Sequence, residues 1–362
     1  MATMKEFIPV MEFHPGLTLH EKLMEMEMGV KEFAVRTSKP EKTIFAVIHG
    51  KSSVTSDMAV AFERVTKIPA GLWLGLQRGY DEYMARQREA QKLAESYEWA
   101  SAFPLRRMAE LGWIPKAKSK SDKVAALLDF FQVSSKSAWE VYYLKGQLKV
   151  AFRISLSRTK EMHAISAWLR QGELQLSGME VGVFSEKALR HRIGDMLDLC
   201  ARQPDDFATQ LQSICAKAGV KLTYTPCLPN APINGATRWI NGIPCIQMTD
   251  RQKRNDIFWF SFFHELGHIL LHRRKDVFLE NVNYPDREDE KEAEADAFAS
   301  DTILSKAEEE EIISRGDYSV NAIRHFATAF NVHPGIIVGR LQHKGLVPFS
   351  FGHELFCSVC LF

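Results

Sequence analysis

Two histidines and a glutamate, His264, Glu265 and His268, follow one another in the order H-E-x-x-H, a spacing suited to metal chemistry. Residues four apart lie on the same face of an α-helix, so the two imidazoles can bind a single zinc ion. Glu265 is turned one step round the helix, where its carboxylate reaches a water on the metal rather than the metal itself. The pattern predicts a zinc hydrolase with Zn2+ as cofactor and Glu265 as the catalytic residue.

The residues around the motif predict a buried helix, because they are apolar nearly all round from 257 to 271. Buried imidazoles and carboxylates are costly unless they are paired or bound to a metal. The alternative is a pair of core histidines bonded to carbonyl groups, with Glu265 in an ion pair. The metal site is favoured, because three costly polar groups have the required spacing within one apolar segment.

The third metal ligand is expected from the acidic helix predicted over residues 291–300. A catalytic zinc takes three protein ligands and leaves a position for water. Glu292 and Asp296 share a face, so we assign Glu292 to the metal and Asp296 to a hydrogen bond with a histidine ligand. Glu294 is the alternative ligand. An oxyanion-stabilising donor is also expected, with four unranked candidates: Tyr224, Tyr284, His272 and His325.

Residues 1–88 predict five short helices, with a tight turn at 38–40 between the second and the third. This is the pattern of a helix-turn-helix domain. The alternative is a helical bundle without a DNA partner.

This segment resembles the HigA-type antitoxin branch of the XRE-like DNA-binding domains. The motifs that match are His14-Pro15-Gly16, Lys42-Thr43-Ile44, Gly50-Lys51 and Gly71-Leu72-Trp73-Leu74. The resemblance implies a homodimer whose third helix enters the major groove of DNA. The residues that would then face DNA are Arg36, Lys39, Lys42 and Lys51 at the phosphates and Glu41, Thr43, Phe45 and Ala46 at the bases. Phe45 and Ala46 offer few hydrogen bonds to bases, so they either pack on thymine methyls or serve protein contacts.

Residues 89–184 predict a helical connector region without a catalytic constellation. The lysine-rich run 116–123 is interpreted as a solvated loop. Residues 185–350 predict an α+β domain, in which a helix and a small antiparallel sheet precede the zinc helix. The strands are expected at 220–224, 236–240 and 244–249, the last two joined by the turn Asn241-Gly242.

The two motifs of this domain resemble the ImmA/IrrE family of zinc metallopeptidases. They are His264-Glu265-Leu266-Gly267-His268 and, downstream, Glu292-Ala-Glu-Ala-Asp-Ala-Phe-Ala299. Two further segments match, Gly235-Ala-Thr-Arg-Trp239 before them and His333-Pro-Gly-Ile-Ile-Val-Gly-Arg-Leu-Gln342 after them. The resemblance implies a zincin-like, gluzincin-type endopeptidase that cleaves a partner repressor. It also implies His264, His268 and Glu292 as metal ligands.

Composition sets the remaining expectations. With 362 residues, 46% hydrophobic and 25% charged, the sequence predicts an α+β multidomain globular protein, and a net charge of +1 excludes a strongly basic one. No signal peptide or membrane span is expected. Six scattered cysteines predict reduced thiols in a cytoplasm, with Cys357 and Cys360 an incidental pair on a tail at 351–362.

Three functions follow from these expectations. The first is a zinc endopeptidase directed by its own DNA-binding domain to a repressor- or antitoxin-like protein substrate, which includes a copy of itself. The second is a DNA-binding regulator or antitoxin whose metal domain senses or scaffolds without turnover. The third is a protein-interaction module with neither activity. The intact Glu265 favours the first.

Overall fold

The computed structural model describes residues 13–147, 159–272, 278–279 and 289–362 of the chain. Contacts divide the chain into two compact units, Met1–Ser96 and Tyr97–Phe362. The predicted class is confirmed, since helices dominate both units and a small sheet lies in the second. The finer predicted boundaries at residues 88, 184 and 350 stay predictions.

The first unit is helical over its described part. Its helices are α1 Pro15–Glu25, α2 Val30–Thr37, α3 Glu41–Ile48, α4 Ser56–Thr66 and α5 Ala70–Glu95. Leu19, Phe33, Ile44, Phe62 and Trp73 form a fully buried centre to which each helix contributes one residue. Ser38, in the left-handed conformation, ends α2 and starts the short turn into α3.

The His14-Pro15-Gly16 motif has a structural explanation. His14 Nδ1 accepts the Gly16 N–H at 2.9 Å and caps α1. A Cβ on Gly16 would lie 1.8 Å from the carbonyl oxygen of Val47, so only glycine lets the start of α1 meet the end of α3.

Helix α5 is longer than predicted. The fifth short helix continues without a break into the predicted connector region and ends at Glu95. No glycine or proline interrupts residues 80–95, so nothing in the sequence ends the helix there.

The second unit begins with short helices. They are α6 Tyr97–Ser101, α7 Leu105–Glu110, α8 Lys120–Phe131 and α9 Lys136–Trp139, followed by a π-helix Glu140–Gln147 and by α10 Thr159–Ser177. Helix α8 begins inside the lysine-rich run 116–123, because the Ser119 hydroxyl accepts the Asp122 N–H at 3.0 Å and caps the helix. Lys120 and Lys123 therefore belong to a helix and not to the expected loop.

A four-stranded sheet follows. Helices α11 Glu186–His191, α12 Ile193–Arg202 and α13 Phe207–Lys217 lead into β1 Lys221–Tyr224, β2 Gly235–Ile240, β3 Ile243–Met248 and β4 Phe278–Leu279, in the order β1-β3-β2-β4. The predicted antiparallel sheet is wrong in one respect. The hairpin of β2 and β3, turning at Asn241-Gly242, is antiparallel, whereas β1 and β3 are parallel. The loop from 225 to 234 places β2 on the far side of β3, so β1 and β3, which run the same way, become neighbours in the sheet.

The remaining helices enclose the apolar helix with the H-E-x-x-H motif. They are α14 Asn255–Leu271, α15 Asp289–Ile303, α16 Lys306–Arg315, α17 Val320–Phe330 and α18 Pro334–His343, with a 3-10 turn at His353–Leu355. Helix α14 lies in the main core of this unit, where Trp259, Phe262, Phe263 and Leu266 are fully buried.

The C-terminal residues are packed rather than loose. Leu355 and Val359 are buried. The Asn255 N–H donates to the Cys357 carbonyl at 3.1 Å, and the Val359 N–H donates to the Lys253 carbonyl at 3.0 Å. Residues 356–361 therefore bind the start of α14; we call them the C-terminal strap. All six cysteines are free thiols.

Candidate metal centre

Helices α14 and α15 approach closely at Gly267. A Cβ there would lie 3.1 Å from a ring carbon of Phe298 and 3.3 Å from Cα of Ala295, which is itself fully buried. A small residue on each helix permits this approach. It carries Glu292, one turn before Ala295, towards the two histidines.

The structure brings His264, His268 and Glu292 together. One ligand atom from each of the three lies within 4.8 Å of the others. The Nε2 atoms of the two histidines are 3.0 Å apart, and Glu292 Oε2 is 3.1 Å from Nε2 of His264. The histidines are 2% and 1% exposed, so the group is held inside the helix pair.

Each histidine is oriented by a partner on its other nitrogen. His264 Nδ1 lies 2.8 Å from Asp296 Oδ1, and a carboxylate there accepts the ring N–H. The lone pair of His264 is then on Nε2, which faces Glu292. A metal-binding histidine is commonly held in this way.

His268 is oriented by two residues in series, His272 and then Glu294. Its Nδ1 lies 2.9 Å from His272 Nδ1, and His272 Nε2 lies 3.1 Å from Glu294 Oε2. Because Glu294 accepts the proton of His272 Nε2, His272 Nδ1 is an acceptor and receives the N–H of His268. Glu294, the alternative ligand, therefore contacts His272, while Glu292 faces both histidines.

Glu265 is fully buried beside strand β2. Its backbone carbonyl accepts the Thr237 hydroxyl at 2.9 Å. A Cβ on Gly235 would lie 2.8 Å from both Cγ and Oε1 of Glu265. Sequence reasoning missed this contact, although a glycine in a strand is a signal of close approach.

The pKa values at the centre suit metal binding. Burial lowers the pKa of His268 to about 4, although the nearby Glu292 carboxylate acts in the opposite direction. Burial raises the pKa of Glu292, but the interactions of its carboxylate with the rings of His264 and His268 outweigh burial and bring that pKa down to about 2. Near neutral pH the imidazole of His268 is thus uncharged and the carboxylate of Glu292 ionised, the forms that bind metal.

The four candidate oxyanion donors are dispersed. Tyr224 donates its hydroxyl proton to the Ala208 carbonyl at 2.8 Å inside the core. His272 is the partner of His268. His325 is exposed on α17, beside the ring of Phe326. Tyr284 lies outside the described residues, so the donor is not identified.

The residues expected to face DNA lie at the surface of α2, α3 and the turns beside them. Arg36, Glu41, Lys42, Phe45 and Lys51 are exposed, and Lys39, Thr43 and Ala46 are half-buried. Arg36 pairs with Glu32 at 2.5 Å, and the Phe45 ring lies 4.0 Å from the ring of His49. Their contacts with DNA stay a prediction.

Comparison with known proteins assigns the region of the metal centre to a family. Residues 215–342 match the family model Peptidase M78, the IrrE N-terminal-like domain. The chain therefore contains an IrrE-like domain of a peptidase family, and the resemblance found in the sequence is confirmed. No curated protein matches the chain.

Two solved structures are similar to smaller parts of the chain. A Nostoc punctiforme protein described as an antidote of a plasmid maintenance system shares 30% identity, with a TM-score of 0.21, over 22% of this chain and 87% of its own. An addiction module antidote protein of a HigA family from Coxiella burnetii shares 29% identity, with a TM-score of 0.22, over 24% and 95%. Among the helices of the described ranges, none has both the length and the apolar character needed to cross a bilayer.

Proposed function

We propose that the protein is a zinc-dependent endopeptidase that cleaves a DNA-binding regulatory protein of the repressor or antitoxin type. The observation that carries the proposal is the convergence of His264, His268 and Glu292 next to Glu265, inside the region that matches a peptidase family. The first unit, with its helix-turn-helix arrangement, is proposed to bind DNA and to direct the peptidase to its substrate.

The three side chains fit zinc. Two imidazole nitrogens and one carboxylate oxygen are ligands that this ion takes, and three protein ligands leave a position for water or substrate. The two Nε2 atoms face each other at 3.0 Å, with a carboxylate oxygen beside them. Lone pairs so close repel one another unless a proton or a cation lies between them.

The chain's own residues would divide the work of hydrolysis. Bound zinc supplies the Lewis acidity that polarises the scissile carbonyl and acidifies water. Glu265 takes the proton of the attacking water on a carboxylate oxygen and gives it to the leaving amine nitrogen. Thr237 and Gly235 hold Glu265 in position, the first by a hydrogen bond and the second by leaving space for the carboxylate.

The proposal is tested first by the zinc content of the purified chain. About one zinc per chain, lost in His264→Ala and kept in Glu265→Gln, is the expected result. A chain that holds no zinc and takes none up would overturn the proposal.

Peptidase activity is tested on a peptide library prepared from a proteome. Mass spectrometry is expected to find new termini with the zinc-loaded protein and none with Glu265→Gln. If the two proteins give the same termini, the chain is no endopeptidase on these peptides.

The full burial of Glu265 favours one second candidate. In that case the metal joins α14 and α15 in a DNA-binding regulator or antitoxin, and no peptide bond is cleaved. Zinc content would then match the first proposal, while the library would show no new termini.

A further inference from the structure

A groove of positive charge lies in the second unit, outside the metal centre. One cavity of about 970 Å³ is lined by Arg106, Arg107, Lys116 and Lys123. A second, of about 430 Å³, shares Arg107, Pro229 and Asn230 with the first and adds Arg251. We call the two cavities together the basic groove.

The charge of the groove is only partly neutralised. Glu110 is the one carboxylate among the described residues that line the groove, and it pairs with Arg106 at 2.9 Å and with Arg107 at 3.7 Å. In the described part of the chain, no carboxylate pairs with Lys116, Lys123 or Arg251. Five cations and one carboxylate leave a marked positive excess, which attracts anionic groups.

Asp250 adds a second carboxylate next to the lining residue Cys227, so the five cations keep an excess of positive charge over two carboxylates. Its carboxylate accepts the Cys227 N–H at 2.9 Å. The ammonium groups of Lys120 and Lys123 lie 5.1 and 5.8 Å from the ring centre of Tyr97, which lines the groove beside Lys123.

The floor of the groove is apolar. Phe103, Ile114 and Ala126 line it and are themselves buried, with Leu105 and Pro115 at the sides. An apolar floor under a basic rim is complementary to a peptide that carries both apolar and acidic side chains. A phosphate ligand would use the rim alone.

We infer that the basic groove is an exosite for an acidic, partly apolar segment of the protein substrate. This inference rests on the proposed peptidase function and adds the class of substrate sequence that the enzyme selects. Arginine and lysine on the rim pair with the substrate carboxylates, while apolar side chains cover the floor.

The loop that forms one wall of the groove leads directly to the metal centre. Asn230 lines both cavities, and five residues later Gly235 approaches the carboxylate of Glu265. A chain of five residues spans at most about 18 Å. An extended substrate crosses that distance with about six residues, so the acidic segment is expected within roughly ten residues of the cleaved bond.

Binding is tested with the full chain carrying Glu265→Gln, so that the result does not depend on turnover. The probe is a fluorescein-labelled peptide rich in glutamate and leucine, measured by fluorescence anisotropy at low salt. The reversal pair Lys116→Glu with Lys123→Glu is expected to raise Kd at least about tenfold. The control pair Lys306→Glu with Arg324→Glu makes the same change in net charge outside the groove and should alter Kd less than about twofold.

Further peptides separate the two parts of the groove. Replacing the glutamates of the probe with lysine should abolish binding, and replacing its leucines with serine should weaken binding several-fold. If the reversal pair does not fold, Lys116→Gln with Lys123→Gln gives the same comparison with a smaller effect.

Two results would overturn the inference. One is equal binding of the acidic and basic peptides, or no difference between reversal and control pairs. The other is displacement of the peptide by inorganic triphosphate at a lower concentration than by unlabelled peptide, which would make the groove a phosphate site. Either outcome leaves the zinc and peptide-library tests of the peptidase untouched.

Discussion

At the scale of single residues, the two proposed histidine ligands differ in what holds them. His264 is oriented by an exposed carboxylate, Asp296, whereas His268 is oriented by another histidine that has its own carboxylate, Glu294. A neutral histidine can present its acceptor nitrogen to His268 only if its other nitrogen carries the ring proton and donates it in a hydrogen bond. Glu294 accepts that hydrogen bond, so His272 and Glu294 orient His268 together.

The substitution His272→Ala is expected to weaken zinc binding by about 10- to 100-fold, because His268 loses the partner that fixes its ring. His272→Gln should restore part of the affinity through its carbonyl oxygen. Competition with a chromophoric chelator measures the change, and His325→Ala, at an exposed histidine, is the control. Wild-type affinity in His272→Ala would show that the contact does not orient His268.

The substitution Gly235→Ala is expected to lower kcat by about tenfold or more, because the new Cβ meets Glu265 at 2.8 Å and displaces the proposed base. Zinc content should stay at the wild-type level, since Glu265 is not a proposed ligand. Gly194→Ala is the matched control, because a Cβ there has no neighbour within 4 Å. Equal kcat in the two variants would exclude the positioning role of Gly235.

At the scale of elements, the C-terminal strap fixes the start of α14, the helix that carries the H-E-x-x-H motif. Asn255, fully buried, accepts the Cys357 N–H on Oδ1 at 3.2 Å, so its amide nitrogen faces His333. His333 Nδ1 then accepts from Asn255 at 2.8 Å and from the Gly335 N–H at 3.1 Å. The remaining ring N–H of His333 points to Cys357 Sγ at 3.3 Å. The hydrogen bonds by which His333 joins α18 to α14 need a neutral imidazole, because Nδ1 accepts in them.

This junction predicts a pH dependence of stability. Burial lowers the pKa of His333 below its ordinary 6.5, against the charge of Asp256. As pH falls below 6.5, the unfolded chain takes up a proton that the folded chain refuses, so the free energy of unfolding decreases. In His333→Asn, which keeps a capping side chain, the decrease between about pH 7 and pH 5 should be smaller.

Urea unfolding of chelator-treated protein at both pH values measures this difference. His325→Asn removes an exposed histidine and should keep the wild-type dependence. If the free energy of unfolding of His333→Asn falls as much between these pH values as that of the wild type, His333 is not the source of the pH dependence.

These elements also show how far the sequence predicts the structure. The i, i+4 spacing of His264 and His268 places two side chains together by local geometry alone. The acidic helix predicted over 291–300 limits the third candidate ligand to a few residues. The strap, the parallel pair β1–β3 and the His272–Glu294 contact join residues far apart in the chain. Periodicity carries no information on such pairings, so the strap was wrongly predicted as a tail and the sheet as wholly antiparallel.

At the scale of the whole molecule, a DNA-binding function of the first unit should appear as a salt-dependent affinity. Each of Lys42→Ala and Lys51→Ala is expected to weaken binding equally on all sequences and to reduce the salt slope by about one. Duplexes selected from a random pool and titrated at several salt concentrations measure this. Lys92→Ala, on the exposed face of α5, is the control, and a Lys42→Ala slope equal to that of the control would remove Lys42 from the interface.

The presence of a helix-turn-helix arrangement and a peptidase-type domain in one chain makes another copy of the same chain a natural substrate. Untagged, zinc-loaded protein is therefore expected to cleave a tagged Glu265→Gln copy, which cannot cleave itself. Because one molecule acts on another, the initial rate should rise with the concentration of the untagged enzyme. Mass spectrometry of the fragments would locate the bond, which the basic groove places within roughly ten residues of an acidic segment. If the tagged copy stays full length over days, while the peptide library is cleaved, the substrate is a different regulatory protein.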